Sequence, residues 1–226
     1  MGTLASNRKG FITGASSSSY SDALNATTGI ASDSNTASST CIQYFKNTGR
    51  GGGTFRFIRT FIHFDTSGIS GGSNFELQVT SNGANGGNAS NTTALKHSAG
   101  TSNGGELANA DFNNIDRNTP YSSATSFGSS GTVTFSLNAA AATQIINEDN
   151  FNVALLLSHD AAGEEEDLLE ESGDVSNKIN FGSAINLVYT DPSSSGYSNS
   201  VAGLAAASIG KIIEVATANI GKVIDS

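Results

Sequence analysis

Ser, His and Asp stand side by side at Ser158, His159 and Asp160, and these are the three residue types of a hydrolytic triad. A triad is assembled from separate elements whose side chains converge in space, whereas adjacent residues on a strand point to opposite faces. The other two histidines, His63 and His97, have no His-x-x-x-His spacing that would suggest a metal site. The sequence therefore predicts no triad, no metal centre and no enzyme.

The acidic run at residues 164–174 is the other cluster that could do chemistry. Its seven carboxylates are Glu164, Glu165, Glu166, Asp167, Glu170, Glu171 and Asp174. Ca²⁺ takes about six to eight oxygen ligands, but the run lacks the Asp-x-Asp-x-Asp-Gly order of an EF-hand loop. We interpret it as a solvated acidic loop, with a cation site and a contact for a basic partner as the alternatives. No cofactor is predicted.

The composition excludes several classes of protein. The chain has 226 residues and a formal net charge of −9, and its 11 Lys and Arg residues are scattered. Nucleic-acid binding requires clustered cations against the phosphates, so it is not predicted. No stretch reaches the roughly 20 apolar residues of a membrane span. The single cysteine, Cys41, excludes an intrachain disulfide and is interpreted as a small buried apolar residue.

The strongest structural element is the stretch TFRFIRTFIHFDTSGIS at residues 54–70. Apolar side chains occur on both faces of this strand, so it should be buried on both faces and lie centrally in a sheet. Arg56 and Arg59 interrupt the apolar run, and each cation must have a partner or extend to an edge of the sheet. Asp65 stands where the strand becomes a turn, and its carboxylate can accept hydrogen bonds from the following backbone N–H groups. We interpret Arg59 and Asp65 as structural residues.

Short strands separated by Gly- and Asn-rich turns account for the rest of the chain up to residue 191. Apolar patterns predict strands at residues 39–47, 74–81, 92–98, 131–138, 151–159, 177–181 and 184–190. An Ala run after Asn138 predicts one short helix at residues 138–149. This pattern indicates an all-β fold, a β-sandwich at residues 41–191. Residues 1–40 are predicted to be a polar segment, with weak strand signals near Phe11 and Tyr20.

Residues 192–226 are predicted to form a linker and an internal repeat. SIGKIIEV at residues 208–215 and NIGKVIDS at residues 219–226 match at a period of 11. Such a repeat on a helix gives a right-handed supercoil, but Gly210 and Gly221 disfavour a helix, so two short extended segments are the alternative. In either form the apolar stripe is too narrow to fold alone, and we predict that it packs on its own domain or on another subunit. The predicted assembly residues are Ile209, Ile212, Ile213, Ile220, Val223 and Ile224.

The stretch RTFIHFDTSGI at residues 59–69 resembles the signature strand of a jelly-roll family of bacterial surface and phage structural proteins, which includes the DNRLRE-type domains. The strands that follow fit the same pattern, and the resemblance covers residues 45–191. It implies a jelly-roll β-sandwich in which Asp65 is the acidic residue at the end of the signature strand, with no catalytic residue. The tail SIGKIIEVATANIGKVID resembles the Ile-Gly-Lys-Val-type repeats that close many tailed-phage virion proteins.

Together, the two resemblances imply a non-enzymatic structural component of a phage virion, in a capsid decoration, neck, tail or fibre. Its partners would be other virion proteins and copies of itself, and its location would be the virion. The alternative is a carbohydrate- or receptor-binding jelly-roll module with a glycan ligand. The chain has no Trp and five Tyr, so aromatic platforms for a sugar are few.

Overall fold

The computed structural model describes residues 1–34, 40–48, 53–85, 91–100, 106–127, 130–163, 175–192, 211–212 and 215–216. Within these residues the protein is built mainly from antiparallel strands. The strands are β1 (Gly2–Ala5), β2 (Arg8–Gly14), β3 (Gly29–Ser34), β4 (Thr40–Asn47), β5 (Thr54–Asp65), β6 (Ser73–Asn85), β7 (Asn91–His97), β8 (Ile115–Pro120), β9 (Thr125–Ser126), β10 (Gly131–Ser136), β11 (Asn150–Leu157), β12 (Val175–Thr190), β13 (Lys211–Ile212) and β14 (Val215–Ala216). The α-helices are α1 (Tyr20–Leu24), α2 (Ala139–Asn147) and α3 (Ser158–Ala162), and a 3-10 helix spans Asn109–Asn113.

Twelve of these strands form one curled sheet around the hydrophobic core. Its main order is β10-β6-β12-β4-β5-β11-β7-β8, with β1 paired to β12, β2 to β5, β3 to β2 and β9 to β7. The rings of Phe127, next to β9, and Phe135, on β10, lie 5.7 Å apart, so strands from the two ends of the sheet approach each other across the core. The prediction of an all-β, sandwich-like fold is confirmed.

Strand β5 lies in the middle of the sheet, as its sequence predicts. It pairs with β4, β2 and β11. Phe57 and Phe61 on one face, and Ile62 and Phe64 on the other, are fully buried. Burying each such side chain contributes roughly 1.5–3 kcal/mol, so this strand is a main source of the apolar stabilisation of the fold.

The N-terminal segment belongs to the sheet rather than preceding it. Strand β1 pairs with the end of β12, with Gly2 opposite Tyr189, and β2 pairs with β5. The Lys9 ammonium on β2 also donates a hydrogen bond to the carbonyl oxygen of Ser183 on β12. Burial of Lys9 lowers the pKa of its amine. The predicted division at residue 41 therefore has no counterpart in the strand pairing, because residues 2–14 contact both β5 and β12.

The two weak signals in this segment have different outcomes. Phe11 lies on a strand, β2, whereas Tyr20 begins helix α1. The Ser19 side chain accepts a hydrogen bond from the backbone N–H of Asp22 and so caps the helix. The strand signal at Tyr20 was therefore wrong, because a polar cap outweighs the β preference of one aromatic residue.

The last two predicted strands are one continuous strand, β12. Its register shifts between Phe181 and Ile185, which marks an irregularity of the β-bulge kind. A bulge bends a strand without ending it. The first part of β12 can therefore pair with β4 up to Phe181, while the second part pairs with β1 from Asn186 onward.

Helix α2 is the predicted helix. The Asn138 side chain accepts hydrogen bonds from the backbone N–H groups of Ala140 and Ala141, at 3.0 and 3.2 Å, and therefore caps the first turn. Ala141, Gln144 and Ile145 are buried against the sheet. The prediction of a single helix missed the five-residue helices α1 and α3, which are too short to show a period in the sequence.

The C-terminal segment lies largely outside the described residues. Strands β13 and β14 pair with each other, with Ile212 opposite Val215, and form a two-stranded sheet separate from the main one. The backbone is therefore extended at these four residues, as in the second of the two alternatives for the repeat. Ile212 is part of β13, whereas Ile209, Ile213, Ile220, Val223 and Ile224 lie outside the described residues.

Candidate functional site

The centre of the structure contains a buried guanidinium, that of Arg59 on β5. Its side chain is 0% exposed and forms an ion pair with Asp160 of α3, which is 2% exposed. The Arg59 Nε and Nη2 atoms donate to the two carboxylate oxygens at 2.9 and 2.7 Å, a bidentate geometry. Nη1 and Nη2 also donate to the carbonyl oxygens of Phe112 and Leu24 at 3.0 and 2.7 Å. The cation therefore has the partners that its burial requires.

A second arginine, Arg117 of β8, reaches the same carboxylate. Its Nη2 donates to Asp160 Oδ1 at 3.1 Å, and its Nε donates to the Asp160 carbonyl oxygen at 3.1 Å. Asn113 accepts hydrogen bonds from both guanidinium groups through Oδ1, at 3.4 Å from Arg59 and 3.0 Å from Arg117. Two cations thus share one carboxylate, and the side chain of Arg117 keeps 22% of its surface exposed to solvent.

Arg117 reaches inward because β8 bulges. Leu95 of β7 lies opposite Pro120, but the next residue, Lys96, lies opposite Asp116. Residues 117–119 therefore leave the ladder as a bulge, and such bulges commonly re-aim a side chain. The Asp116 carboxylate closes the bulge by accepting hydrogen bonds from the backbone N–H of Asn118 at 2.9 Å and the Thr119 hydroxyl at 2.6 Å.

The ion centre formed by Arg59, Asp160 and Arg117 joins five elements: α1, β5, the 3-10 helix, β8 and α3. The Arg59 guanidinium also lies 4.0 Å from the ring centroid of Phe112, a cation–π contact. Arg59 and Asp160 are buried, and the hydrogen bonds of Arg59 link separate elements of the fold. The arrangement can hold these elements in place, whereas Arg117 stays partly exposed at the edge of the centre.

Ser158, His159 and Asp160 do not converge into a triad. The Ser158 hydroxyl lies 3.2 Å from the hydroxyl of Thr93, and Asp160 is engaged by the two arginines. The His159 ring packs edge-on against Tyr44, with centroids 5.3 Å apart. Burial lowers the pKa of this imidazole. The three side chains thus have three different surroundings, although they lie on helix α3 and not, as predicted for Ser158 and His159, at the end of a strand.

His97 of β7 is a buried structural residue. Its Nε2 lies 3.0 Å from the carbonyl oxygen of Ile62, and the backbone N–H of Ala99 donates to its Nδ1 at 3.1 Å. A carbonyl can only accept and an N–H can only donate, so the proton must be on Nε2 and the ring must be neutral. Burial lowers the pKa of His97 to about 4. Both nitrogens are occupied, and neither can serve as a catalytic base.

His63 and Asp65, at the end of β5, have local partners. His63 Nδ1 lies 2.8 Å from Asn152 Oδ1 on β11. Asp65 Oδ1 accepts hydrogen bonds from the backbone N–H and the hydroxyl of Ser67, at 3.1 and 2.6 Å, which is an Asx-type turn. The hydroxyl and backbone bonds from Ser67 lower the pKa of the Asp65 carboxyl. The side chain is exposed and has the turn geometry that the sequence suggested.

Tyrosine side chains within the described residues are used mainly in the core and in ring stacking. Tyr20, Tyr44 and Tyr121 are buried in the core, and Tyr189 stacks on Phe75 with centroids 5.7 Å apart. Tyr197, the fifth tyrosine, lies outside the described residues. The buried Tyr121 hydroxyl donates to Gln144 Oε1 at 2.5 Å, which ties α2 to the sheet.

Metal ligands do not cluster in the part of the chain that the structure describes. No group of three or more His, Cys, Asp or Glu side chains with metal-binding geometry occurs there. The acidic run at residues 164–174 lies outside the described residues. Cys41 is buried at the start of β4, as predicted, and burial raises the pKa of its thiol. None of the described helices is long and apolar enough to cross a membrane.

One polar pocket lies beside the β8 bulge, and sequence reasoning missed it. This bulge pocket has a volume of about 310 Å³ and is lined by Lys96, His97, Ser98, Asp116 and Thr119. A second pocket of about 300 Å³ lies on the other side of the bulge, where Arg117 borders mainly apolar side chains such as Leu95 and Pro120. No pattern in the sequence marks either pocket, because the bulge that creates them follows from the pairing of β7 with β8.

No protein-family model matches this chain, and no curated protein matches it. The resemblance to the jelly-roll family and to the virion repeats therefore depends on the residues quoted for it.

Proposed function

We propose that the protein is a non-enzymatic structural component of a phage virion, in a capsid decoration, neck, tail or fibre. Its β-sandwich serves as a rigid unit, and its C-terminal repeat assembles it with copies of itself and with other virion proteins. The observation that carries the proposal is the separate pairing of β13 with β14, within a repeat that is rich in isoleucine.

The strand pairing supports a role for the repeat in assembly. Within the described residues, β13 and β14 pair with each other in a two-stranded sheet of their own. The repeat contributes six regularly spaced apolar residues, and soluble monomers seldom leave a patch of several hundred Å² uncovered. A neighbouring copy that presents the same segment is the simplest cover, because identical surfaces can pair about a two-fold axis.

The sandwich itself supports a structural role rather than a catalytic one. The ion centre holds five elements together, and the His97 nitrogens are both engaged by the backbone. Ser158, His159 and Asp160 have separate partners. A rigid scaffold whose buried titratable groups Arg59, Asp160 and His97 are held by internal contacts suits a particle component, whose task is to keep its shape.

The test compares three proteins by light scattering: the full chain, a chain without residues 201–226, and a chain in which Ile212, Ile213, Val223 and Ile224 are replaced by Ser. A matched control replaces Ala205, Ala206 and Ala207 by Ser in the same segment. We expect the full chain and the control to form oligomers. The truncated and Ile-to-Ser chains should be folded monomers, with the circular dichroism spectrum of the sandwich unchanged.

Incorporation into particles is the stronger measurement. Complementation of a particle lacking this protein, followed by mass spectrometry of purified virions, should recover the full chain and the Ala-to-Ser control only. If the truncated chain keeps the same oligomeric mass and enters particles equally well, the repeat is not the assembly element and the proposal fails. Sugar stacking on tyrosine rings, one form of the glycan-binding alternative, finds little support, because Tyr20, Tyr44 and Tyr121 are buried and Tyr189 stacks on Phe75.

A further inference from the structure

We infer that the bulge pocket binds a neutral, polyhydroxylated small molecule the size of one sugar residue. The pocket is independent of the C-terminal repeat, so this inference goes beyond the proposed structural role. Its volume of about 310 Å³ is at the lower limit of ligand sites, which span roughly 300–1,000 Å³. Four of its five lining residues, Lys96, Ser98, Asp116 and Thr119, present polar groups on exposed or half-exposed side chains.

The pocket is built by rigid elements. Its floor includes His97, which is 2% exposed and is fixed by hydrogen bonds to the backbone of Ile62 and Ala99. Its other wall is the β8 bulge, closed by the bonds from Asn118 and Thr119 to Asp116. Arg117 anchors the same bulge to Asp160 in the core. A site on anchored elements keeps its geometry before the ligand arrives, which reduces the entropy cost of binding.

The acceptor in the pocket is the Asp116 carboxylate. The hydrogen bonds from Thr119 and from the backbone N–H of Asn118 lower the pKa of Asp116, so it is ionised at neutral pH and can only accept. Each carboxylate oxygen has two lone-pair directions, and one bond to each is already made. Because the Thr119 hydroxyl uses its proton on Asp116, its own lone pairs are left to accept from a ligand.

The donor in the pocket is the Lys96 ammonium. It lies opposite Asp116 in the strand register, and its side chain is 40% exposed. Among the described residues its nearest carboxylate, that of Glu148, is 4.0 Å away, too far for a hydrogen bond. The ammonium therefore keeps N–H groups for a ligand. Ser98, on the same rim, has a hydroxyl that can both donate and accept.

A vicinal diol fits this set of groups. One hydroxyl can donate its proton to Asp116 while its neighbour accepts from Lys96, and Ser98 and Thr119 can bond the next hydroxyl. An anion such as phosphate would pair with the Lys96 ammonium but would be repelled by the ionised Asp116 carboxylate in the same pocket, and the neutral His97 ring adds no second cation. A zwitterion would gain little from exposed charges, whose pairing contributes about 0–1 kcal/mol. Hydrogen-bond complementarity thus favours a neutral polyol over either.

The experiment titrates the full ¹⁵N-labelled chain with D-glucose, D-galactose, D-mannose and N-acetyl-D-glucosamine, each up to about 50 mM, and follows the backbone amide shifts. Inorganic phosphate and glycine are titrated in parallel. At least one sugar should saturate and shift the amides of His97, Ser98, Asn118 and Thr119, whereas phosphate and glycine should not.

Four variants assign the binding to the pocket. Asp116→Asn and Lys96→Met should each weaken the sugar about tenfold or more, the usual result of losing a hydrogen bond to a charged group. Asp33→Asn, an exposed carboxylate on β3, and Lys178→Met, a half-exposed lysine on β12, are the matched controls and should leave the affinity unchanged. Thermal melts show whether each variant is folded.

Three results would overturn the inference. One is the absence of any saturable shift with the four sugars. Another is a shift that Asp116→Asn and Lys96→Met leave intact, which would place the sugar elsewhere. The third is tighter binding of phosphate or glycine than of any sugar, which would assign the pocket to a charged ligand. None of these results bears on the repeat, so the two proposals fail or stand separately.

Discussion

Replacing Arg59 by Ala tests the ion centre most directly. The change removes both hydrogen bonds to Asp160 and those to the carbonyl oxygens of Leu24 and Phe112. Breaking a buried ion pair from one side costs about 3–5 kcal/mol, because the remaining charge stays buried. Arg117 continues to contact Asp160 and limits the loss to that range.

The corresponding fall in Tm is about 6–20 °C, since a chain of this size shifts by roughly 2–4 °C per kcal/mol. Chemical unfolding followed by far-UV circular dichroism measures the free energy, and thermal scans measure the Tm. The matched control is Arg56→Ala on the same strand. Arg56 is half-buried, and its guanidinium lies 5.2 Å from the Phe45 ring centroid, so its loss should cost about 0.5–1 kcal/mol.

A double-mutant cycle with Asp160→Leu and Arg59→Met separates the pair from its surroundings. Each single variant leaves a buried charge without part of its compensation, whereas the double variant removes both charges. The double variant should therefore lose less stability than the sum of the single losses. Two results would refute the buried ion pair. One is a loss of less than about 0.5 kcal/mol for Arg59→Ala, which is the range of surface substitutions. The other is strict additivity of the losses in the cycle.

Two further predictions follow from the described contacts. The pKa of His97 is about 4 in the folded state against 6.5 for the free side chain, so the unfolded chain takes up the proton first as the pH falls. The free energy of unfolding should therefore decrease by roughly 3 kcal/mol between about pH 6.5 and about pH 4. In chemical unfolding, His97→Gln should flatten this part of the pH profile, and an unchanged slope would contradict the buried neutral ring. Asn138→Ala removes the cap of α2 and should lower the free energy of unfolding by about 1 kcal/mol. Asn147→Ala, at the exposed opposite end of the helix, should lower it by less than about 0.5 kcal/mol, and equal losses would rule out the cap.

Much of the fold could be predicted from local patterns. The apolar residues of β5 occur on both faces, and this pattern alone places the strand at the centre of the sheet. Asn138 marks the start of α2 because an N-cap has a clear residue preference. The Asx-type turn at Asp65 is likewise local, since donor and acceptor are two residues apart.

The rest depends on partners far away in sequence. Strands β1 to β3 are rich in Gly, Ser and Thr, and they are held by pairing with β5 and β12 rather than by their own preferences. The need for a partner to Arg59 could be predicted, but the partner itself could not, because Asp160 lies 101 residues away. Arg117 and the bulge pocket carry no sequence signal, because the bulge is defined by the register of β7 against β8.

The pairing of β1 with β12 determines when the protein can finish folding during translation. Gly2 and Thr3 emerge from the ribosome long before their partners, Tyr189 and Val188, which lie more than 180 residues further along the chain. At about 5–20 residues per second, the interval is roughly 10–40 s. During this time the first strand has an unpaired edge, and such edges invite association between nascent chains. Completion of the sandwich therefore waits until β12 has been made, and slow synthesis or crowded polysomes would extend the period in which two unfinished chains can pair with each other.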